Sequence, residues 1–251
     1  MLETFKLATA DGPCTVEMVR PAMMTGPWPA VILCCDAAGL RASQRRIAER
    51  ISLGGYLVFM PDLLHRSPPL SDLLGPDPSL AALVKLFGGD PEGRAKFLKN
   101  YYTPTVDYGN LEKTVGALLD HIEARDDCHG GIGTTGYCMG GNVSVRVATI
   151  FGDRVDVTAA FHPGGLVTDQ PESPHLRASA IKSRVYLAPS IPDLPPDAEA
   201  KLRAELDAAK VRYDIVQYPA QHGYAVEDSP AYNVECAEKH YLALAKLYAH
   251  L

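Results

Sequence analysis

The sequence predicts an α/β fold, a mostly parallel sheet flanked by helices on both faces, and three observations carry that prediction. Pro29-Ala30-Val31-Ile32-Leu33-Cys34-Cys35 is a continuous apolar run, as a strand buried on both faces requires. Shorter apolar segments recur at residues 56–60, 131–135, 157–161, 184–188 and 213–218. Between them lie stretches of helical period, most plainly Leu111, Val115, Leu118, Leu119 and Ile122. Strands that alternate with helices in this way build a parallel sheet covered on both sides.

Each element has its own signal. Residues 3–20 alternate loosely and predict an opening hairpin turned at Asp11-Gly12. Residues 41–53 read as a helix with Ile47 and Ile51 on one face, stopped by Gly54-Gly55. The strand at 56–60 ends at Pro61-Asp62. From Leu63 to about Gly109, prolines at 68, 69, 76, 78, 91 and 104 break the pattern into short pieces. So long an irregular excursion is expected to be a partial cap or lid, at about 64–109, over the strand ends; a plain surface insertion is the alternative. A helix follows at 141–150, another at 197–209, and a last one from about Ala231 to the end. No repeat or linker divides the chain, so residues 1–251 are expected to form a single domain.

Composition narrows the function. The chain is 47% apolar and 22% charged, which is ordinary for a soluble globular protein. Its 24 basic residues against 30 acidic ones give a charge of -6, which argues against nucleic acid or an anionic membrane surface as a partner. The six cysteines at 14, 34, 35, 128, 138 and 236 have neither metal-knuckle spacing nor the density of a disulfide framework, so free thiols are expected. The opening Met1-Leu2-Glu3-Thr4-Phe5-Lys6 lacks a secretory apolar stretch, and no apolar run has membrane length. A cytoplasmic protein acting on a small molecule is expected, its oligomeric state left open.

Gly136-Tyr137-Cys138-Met139-Gly140 places a cysteine between two glycines at a strand-to-helix corner. A nucleophile on such a corner projects from the end of the sheet, and the tight turn demands small residues two positions to either side. A thiol needs a base to become thiolate. His222 is the candidate, in Tyr218-Pro219-Ala220-Gln221-His222-Gly223-Tyr224, a loop leaving the last strand where open α/β sheets collect their chemistry. Asp193 is the candidate acid that orients the imidazole, with Asp197 and then Asp169 as substitutes. The backbone N–H groups of Ala37 and Met139 are the candidate oxyanion hole. Asp36 ends the first central strand, either in the active site or as a helix cap. His162 leaves another strand end and lines the pocket or supports it; Arg66 opens the excursion as a candidate fork for a substrate carboxylate. No metal site or cofactor is expected: HExxH spacing is absent, and the glycines at 131, 133 and 136 lack the G-x-G-x-x-G pattern.

Four stretches in order then give the chain a resemblance to the dienelactone hydrolase family of α/β-hydrolases. They are Asp36-Ala37-Ala38-Gly39, Pro61-Asp62-Leu63, Gly136-Tyr137-Cys138-Met139-Gly140-Gly141 and His222-Gly223-Tyr224-Ala225. The resemblance implies the α/β-hydrolase fold, with Cys138 as nucleophile, His222 as base and Asp193 as orienting acid. It makes Asp36 the counterpart of a glutamate that contacts the resting thiol, one methylene shorter here. The family's two carboxylate-binding arginines fall at Arg66 and Val226, so half of that anion clamp is absent. The expected activity is hydrolysis of a small neutral or singly anchored ester or lactone through a thioester acyl-enzyme. Action on another acyl bond such as a thioester, a non-catalytic binding role, and acyl transfer to an acceptor other than water remain the alternatives.

Overall fold

The apolar run at residues 29–35 becomes β3 (Trp28–Cys34), and Val31, Ile32, Leu33 and Cys34 have no solvent exposure in the computed structural model, which describes residues 1–251. A strand can be apolar along both faces only where helices cover both, and this one lies in the middle of the sheet. The hairpin of β1 (Leu2–Thr9) and β2 (Gly12–Val19) opens the chain, with Gly12 at φ +124 supplying the turn. Helix α1 (Ala42–Ser52) buries Ile47, Ala48 and Ile51 and leads into β4 (Leu57–Pro61).

The later strands are β5 (Cys128–Tyr137), β6 (Val157–Phe161), β7 (Arg184–Ala188) and β8 (Tyr213–Ile215). The sheet order is β1-β2-β4-β3-β5-β6-β7-β8. Strand β2 pairs antiparallel with both neighbours, while β4, β3 and β5 through β8 run parallel. The parallel strands therefore all end at one edge, and the loops that carry Asp36, Cys138, His162, Asp193 and His222 leave from it. Strand β5 is longer than residues 131–135, and β8 is shorter than 213–218. Beyond Ile215 the pairing becomes irregular: Val216 N–H donates to Leu187 O and Tyr218 N–H to Pro189 O, both at 2.9 Å, with an isolated bridge between Ser190 and Tyr218.

The proline-broken excursion is more helical than its sequence reads. It holds α2 (Ser71–Leu74), α3 (Leu80–Gly89), α4 (Pro91–Phe97), a π-helical turn at Leu98–Tyr102, and α5 (Thr103–Val106). Pro91 and Pro104 stand in the first turns of α4 and α5, where a missing N–H leaves nothing unsatisfied, and Pro68, Pro69, Pro76 and Pro78 lie outside the helices. Pro91 opens α4 directly after Asp90, whose carboxylate accepts the Gly93 N–H at 2.9 Å.

Helix α6 (Tyr108–Glu123) buries Leu111, Val115, Leu118, Leu119 and Ile122, the stripe visible in the sequence. Helices α7 (Met139–Ile150), α8 (Pro196–Ala208) and α9 (Val234–Tyr248) complete the layers. The last helix starts after Asn233, whose side chain accepts the Cys236 N–H, rather than at Ala231. No helix is long and apolar enough to cross a membrane.

Candidate active site

The corner between β5 and α7 exists because its two glycines permit it. A Cβ on Gly136 would stand 1.9 Å from the Gly140 carbonyl oxygen, and one on Gly140 would stand 2.0 Å from that of Cys34 and 2.4 Å from that of Cys35. The first contact closes the turn. The second seats the start of α7 against the end of β3, bringing the Asp36–Ala38 loop beside Met139. Cys138 between them has φ 56 and ψ -119, a conformation costing a non-glycine residue on the order of 1–3 kcal/mol. Its own backbone groups hold it there: its N–H donates to Phe161 O at 3.1 Å, and its carbonyl accepts from Gly141 and Asn142 at 3.0 and 3.3 Å. The side chain is half-buried.

The loops after β7 and β8 bring Asp193 and His222 to the same edge. His222 Nδ1–H donates to Asp193 Oδ1 at 2.6 Å, which leaves Nε2 as the nitrogen free to exchange a proton. The other carboxylate oxygen, Oδ2, accepts from Ser190 N–H at 2.9 Å and from Ser190 Oγ–H at 2.5 Å. Burial disfavours a charged His222, but attraction to a Cys138 thiolate and hydrogen bonds to Asp193 and to Cys138 outweigh it. The imidazole is pushed up to about 11. Burial pushes the Cys34 thiol up to about 12 and the Cys128 thiol up to about 11. Ala37 and Met139 N–H donate to no backbone acceptor.

Two sequence expectations, for Asp36 and Arg66, are corrected, and the two readings of His162 are separated. Asp36 is fully buried, and both its oxygens are engaged away from Cys138. Oδ1 accepts from Ala38 N–H at 2.9 Å and Arg41 Nη1 at 2.7 Å; Oδ2 accepts from Arg41 Nη2 at 2.8 Å and Gln44 Nε2 at 2.7 Å. The short aspartate orders the Asp36–Ala38 loop and not the thiol. Arg66 is committed to Asp11 through Nε at 3.0 Å and Nη2 at 2.6 Å, which ties the excursion to the hairpin turn and takes its fork out of use. His162 has no solvent exposure and lies beneath the site, packed edge-on against His222 with centroids 5.0 Å apart and against Tyr224 at 5.1 Å. Burial holds its pKa far below the usual range, so it is a neutral ring outside a substrate's reach.

Residues the sequence did not single out complete the surroundings. Arg41 bridges Asp36 to Asp228, donating from Nε at 2.6 Å and Nη2 at 2.8 Å to the latter, and so joins the Asp36–Ala38 loop to the loop carrying His222. The excursion borders the site on two sides. Leu80 of α3 lies 3.9 Å from where a Gly223 Cβ would be, and the Tyr102 phenol feels the charge of Cys138. No group of three or more histidine, cysteine or acidic side chains is placed to hold a metal ion.

Strand order and the glycine-flanked strand-to-helix corner define the class, an α/β-hydrolase. The chain belongs to the dienelactone hydrolase family, whose model matches residues 16–251. A protein of Escherichia coli (strain K12) provisionally named carboxymethylenebutenolidase is 26% identical over 234 residues, covering 87% of this chain and 76% of that one. A crystal structure of a provisionally assigned dienelactone hydrolase from Klebsiella pneumoniae superimposes with a TM-score of 0.82 at 19% identity, covering 100% of this chain and 99% of that one. A dienelactone hydrolase-like promiscuous phosphotriesterase from metagenomic libraries gives a TM-score of 0.68 at 21% identity, over 100% and 98% of the two chains.

Proposed function

We propose that this protein is a cysteine-dependent hydrolase of small ester or lactone substrates, with Cys138 as nucleophile, His222 as general base and acid, and Asp193 as the residue that fixes the imidazole. The observation that carries the reading is the His222 Nδ1–Asp193 bond of 2.6 Å, together with the attraction and hydrogen bond to Cys138 that push the His222 imidazole up. The E. coli relative provisionally named carboxymethylenebutenolidase accords with a lactone among the substrates.

The Cys138 thiolate attacks the carbonyl carbon, a C–S bond forms, and the carbonyl electron pair moves to oxygen. The N–H groups of Ala37 and Met139 receive that oxyanion, each contributing about 3 kcal/mol by the usual worth of such donors. Collapse breaks the bond to the alkoxide, which takes the proton from His222 Nε2. Water then gives a proton to the neutral imidazole and attacks the thioester; the C–S bond breaks, and the acid leaves with the thiolate restored. In a lactone the alkoxide stays on the same molecule as the acyl group, so both ends depart together.

A panel of esters, thioesters and lactones, assayed with the native protein, Cys138→Ser and His222→Ala, tests the reading. Hydrolysis that falls in both variants by at least a thousandfold is expected. Undiminished turnover in both would reject it.

A further inference from the structure

Arg146 is the arginine near Cys138 that makes no ion pair. It lies on α7 eight residues after Cys138, a separation of roughly 12 Å of helix rise, and Asn142 stands between them on the same face. Its side chain leans back toward the nucleophile, because Nε donates to Asn142 Oδ1 at 2.7 Å, and that is its one hydrogen bond. It is only 8% exposed. Arg41 and Arg66, by contrast, are each paired with aspartates.

The free end of Arg146 faces a cavity of about 450 Å³ lined also by Tyr102, Tyr108, Gly165, Glu172 and Arg177. Arg146 and Arg177 both lie over the Tyr108 ring, 4.6 and 3.8 Å from its centroid. Two like charges on one ring, one of them buried, are unfavourable until an anion joins them. Tyr102 and Asn142 meet at the cavity wall: a Cβ on Gly165 would stand 3.3 Å from Tyr102 Oη and 3.5 Å from Asn142 Nδ2, and the Asn142 N–H donates to the Cys138 carbonyl at 3.3 Å, so the wall lies one helical turn from the nucleophile. Glu172 and Asp107 line the same cavity, both from exposed positions, and Asp107 also caps α6 through the Asn110 N–H at 2.8 Å.

We propose that this cavity binds an anionic group, a carboxylate or phosphate, on the non-reacting end of the substrate, with Arg146 as its buried fork and Arg177 at its rim. The proposal rests on the hydrolase reading and names the substrate class, an ester or lactone that carries a charge remote from the scissile bond. The guanidinium plane suits such oxyanions through paired N–H donors.

The test compares kcat/KM for esters ending in a carboxylate, in a phosphate and in a matched neutral group, with the charge on the acyl side in one set and on the alcohol side in another. The native protein is expected to favour one charged form by about ten- to a hundredfold, the range for charge-assisted hydrogen bonds. Arg146→Gln removes that preference, Arg146→Lys keeps part of it, Arg177→Gln weakens it, and Glu172→Gln strengthens it. A charged-to-neutral ratio that is the same in the native protein and Arg146→Gln overturns the proposal. Calorimetry of free dicarboxylates and inorganic phosphate on Cys138→Ala separates this inference from the hydrolase reading. Anion binding that Arg146→Gln abolishes, without any turnover by the native protein, upholds the site and rejects the activity; turnover with no anion binding does the reverse.

Discussion

Gly140 approaches Cys34 so closely that a Cβ would meet the Cys34 carbonyl oxygen at 2.0 Å. This contact fixes where α7 begins relative to the end of β3, and with it the separation between the N–H groups of Ala37 and Met139. Both atoms in conflict are backbone or rigidly attached to it, so no side chain can yield. Gly140→Ala is therefore expected to destabilise the fold by about 1–3 kcal/mol, as overpacking of a well-packed region does. It should also lower kcat at least a hundredfold with a smaller change in KM, because the oxyanion donors move apart. Urea unfolding and steady-state kinetics on the same variant check both.

Arg41 holds two carboxylates at once, one of them buried without exposure. Burial raises the Asp36 pKa, and Arg41 opposes that rise. Arg41→Met leaves Asp36 as an unpaired buried charge, a loss of about 3–5 kcal/mol. Adding Asp36→Asn removes the charge and should return part of that loss. A urea midpoint unchanged in the single variant would contradict the pairing.

His222 owes its raised pKa first to Cys138, against burial. In Cys138→Ser the thiolate is absent, so the imidazole should titrate below the native value of about 11, as read by NMR of the ring protons. The linkage has a definite sign. A folded pKa above the unfolded value of about 6.5 gives a stabilising contribution that is complete below that pH and is lost as pH rises toward 11. That alkaline loss should be smaller in Cys138→Ser.

Two buried histidines act in the opposite direction. Burial lowers His162 well below its ordinary range and pushes His240, which shares a 3.0 Å hydrogen bond with Tyr137 Oη, down to about 3. Both are neutral in the folded protein, so their contribution is present above the unfolded pKa of about 6.5 and is lost as pH falls toward 3. Unfolding free energy measured from pH 7 to pH 4 should decline, and less steeply in His240→Gln. A flat profile would contradict the burial of these rings.

Much of the fold was legible because the sheet's demands are written locally. The all-apolar run of β3 and the spacing of Leu111, Val115, Leu118, Leu119 and Ile122 each state their burial directly. The excursion was harder to read, because a proline that breaks a helix in its interior and one that starts it look alike in sequence. Residues on the site followed the same division. The glycines around Cys138 declare a corner through sterics alone. The partners of Asp36 and Arg66 depend on which distant charges the fold brings near, and Asp228 and Asp11 have no local signature. Arg146 did carry a usable signal, since it stands two helical repeats of four after Cys138. His162 was legible as a histidine leaving a strand end, lining the pocket or supporting it; its burial beneath His222, set by the path of the strands, selects the supporting position.

The central claim is that the sulfur of Cys138 carries the acyl group. Rapid acid quench of the native protein with a slowly deacylating activated ester, followed by mass spectrometry of its peptides, measures this directly. The account predicts an acyl adduct on the peptide containing Cys138, formed within the first turnover and absent in Cys138→Ala. Full ester turnover by Cys138→Ala, with no adduct on the native protein, would contradict it.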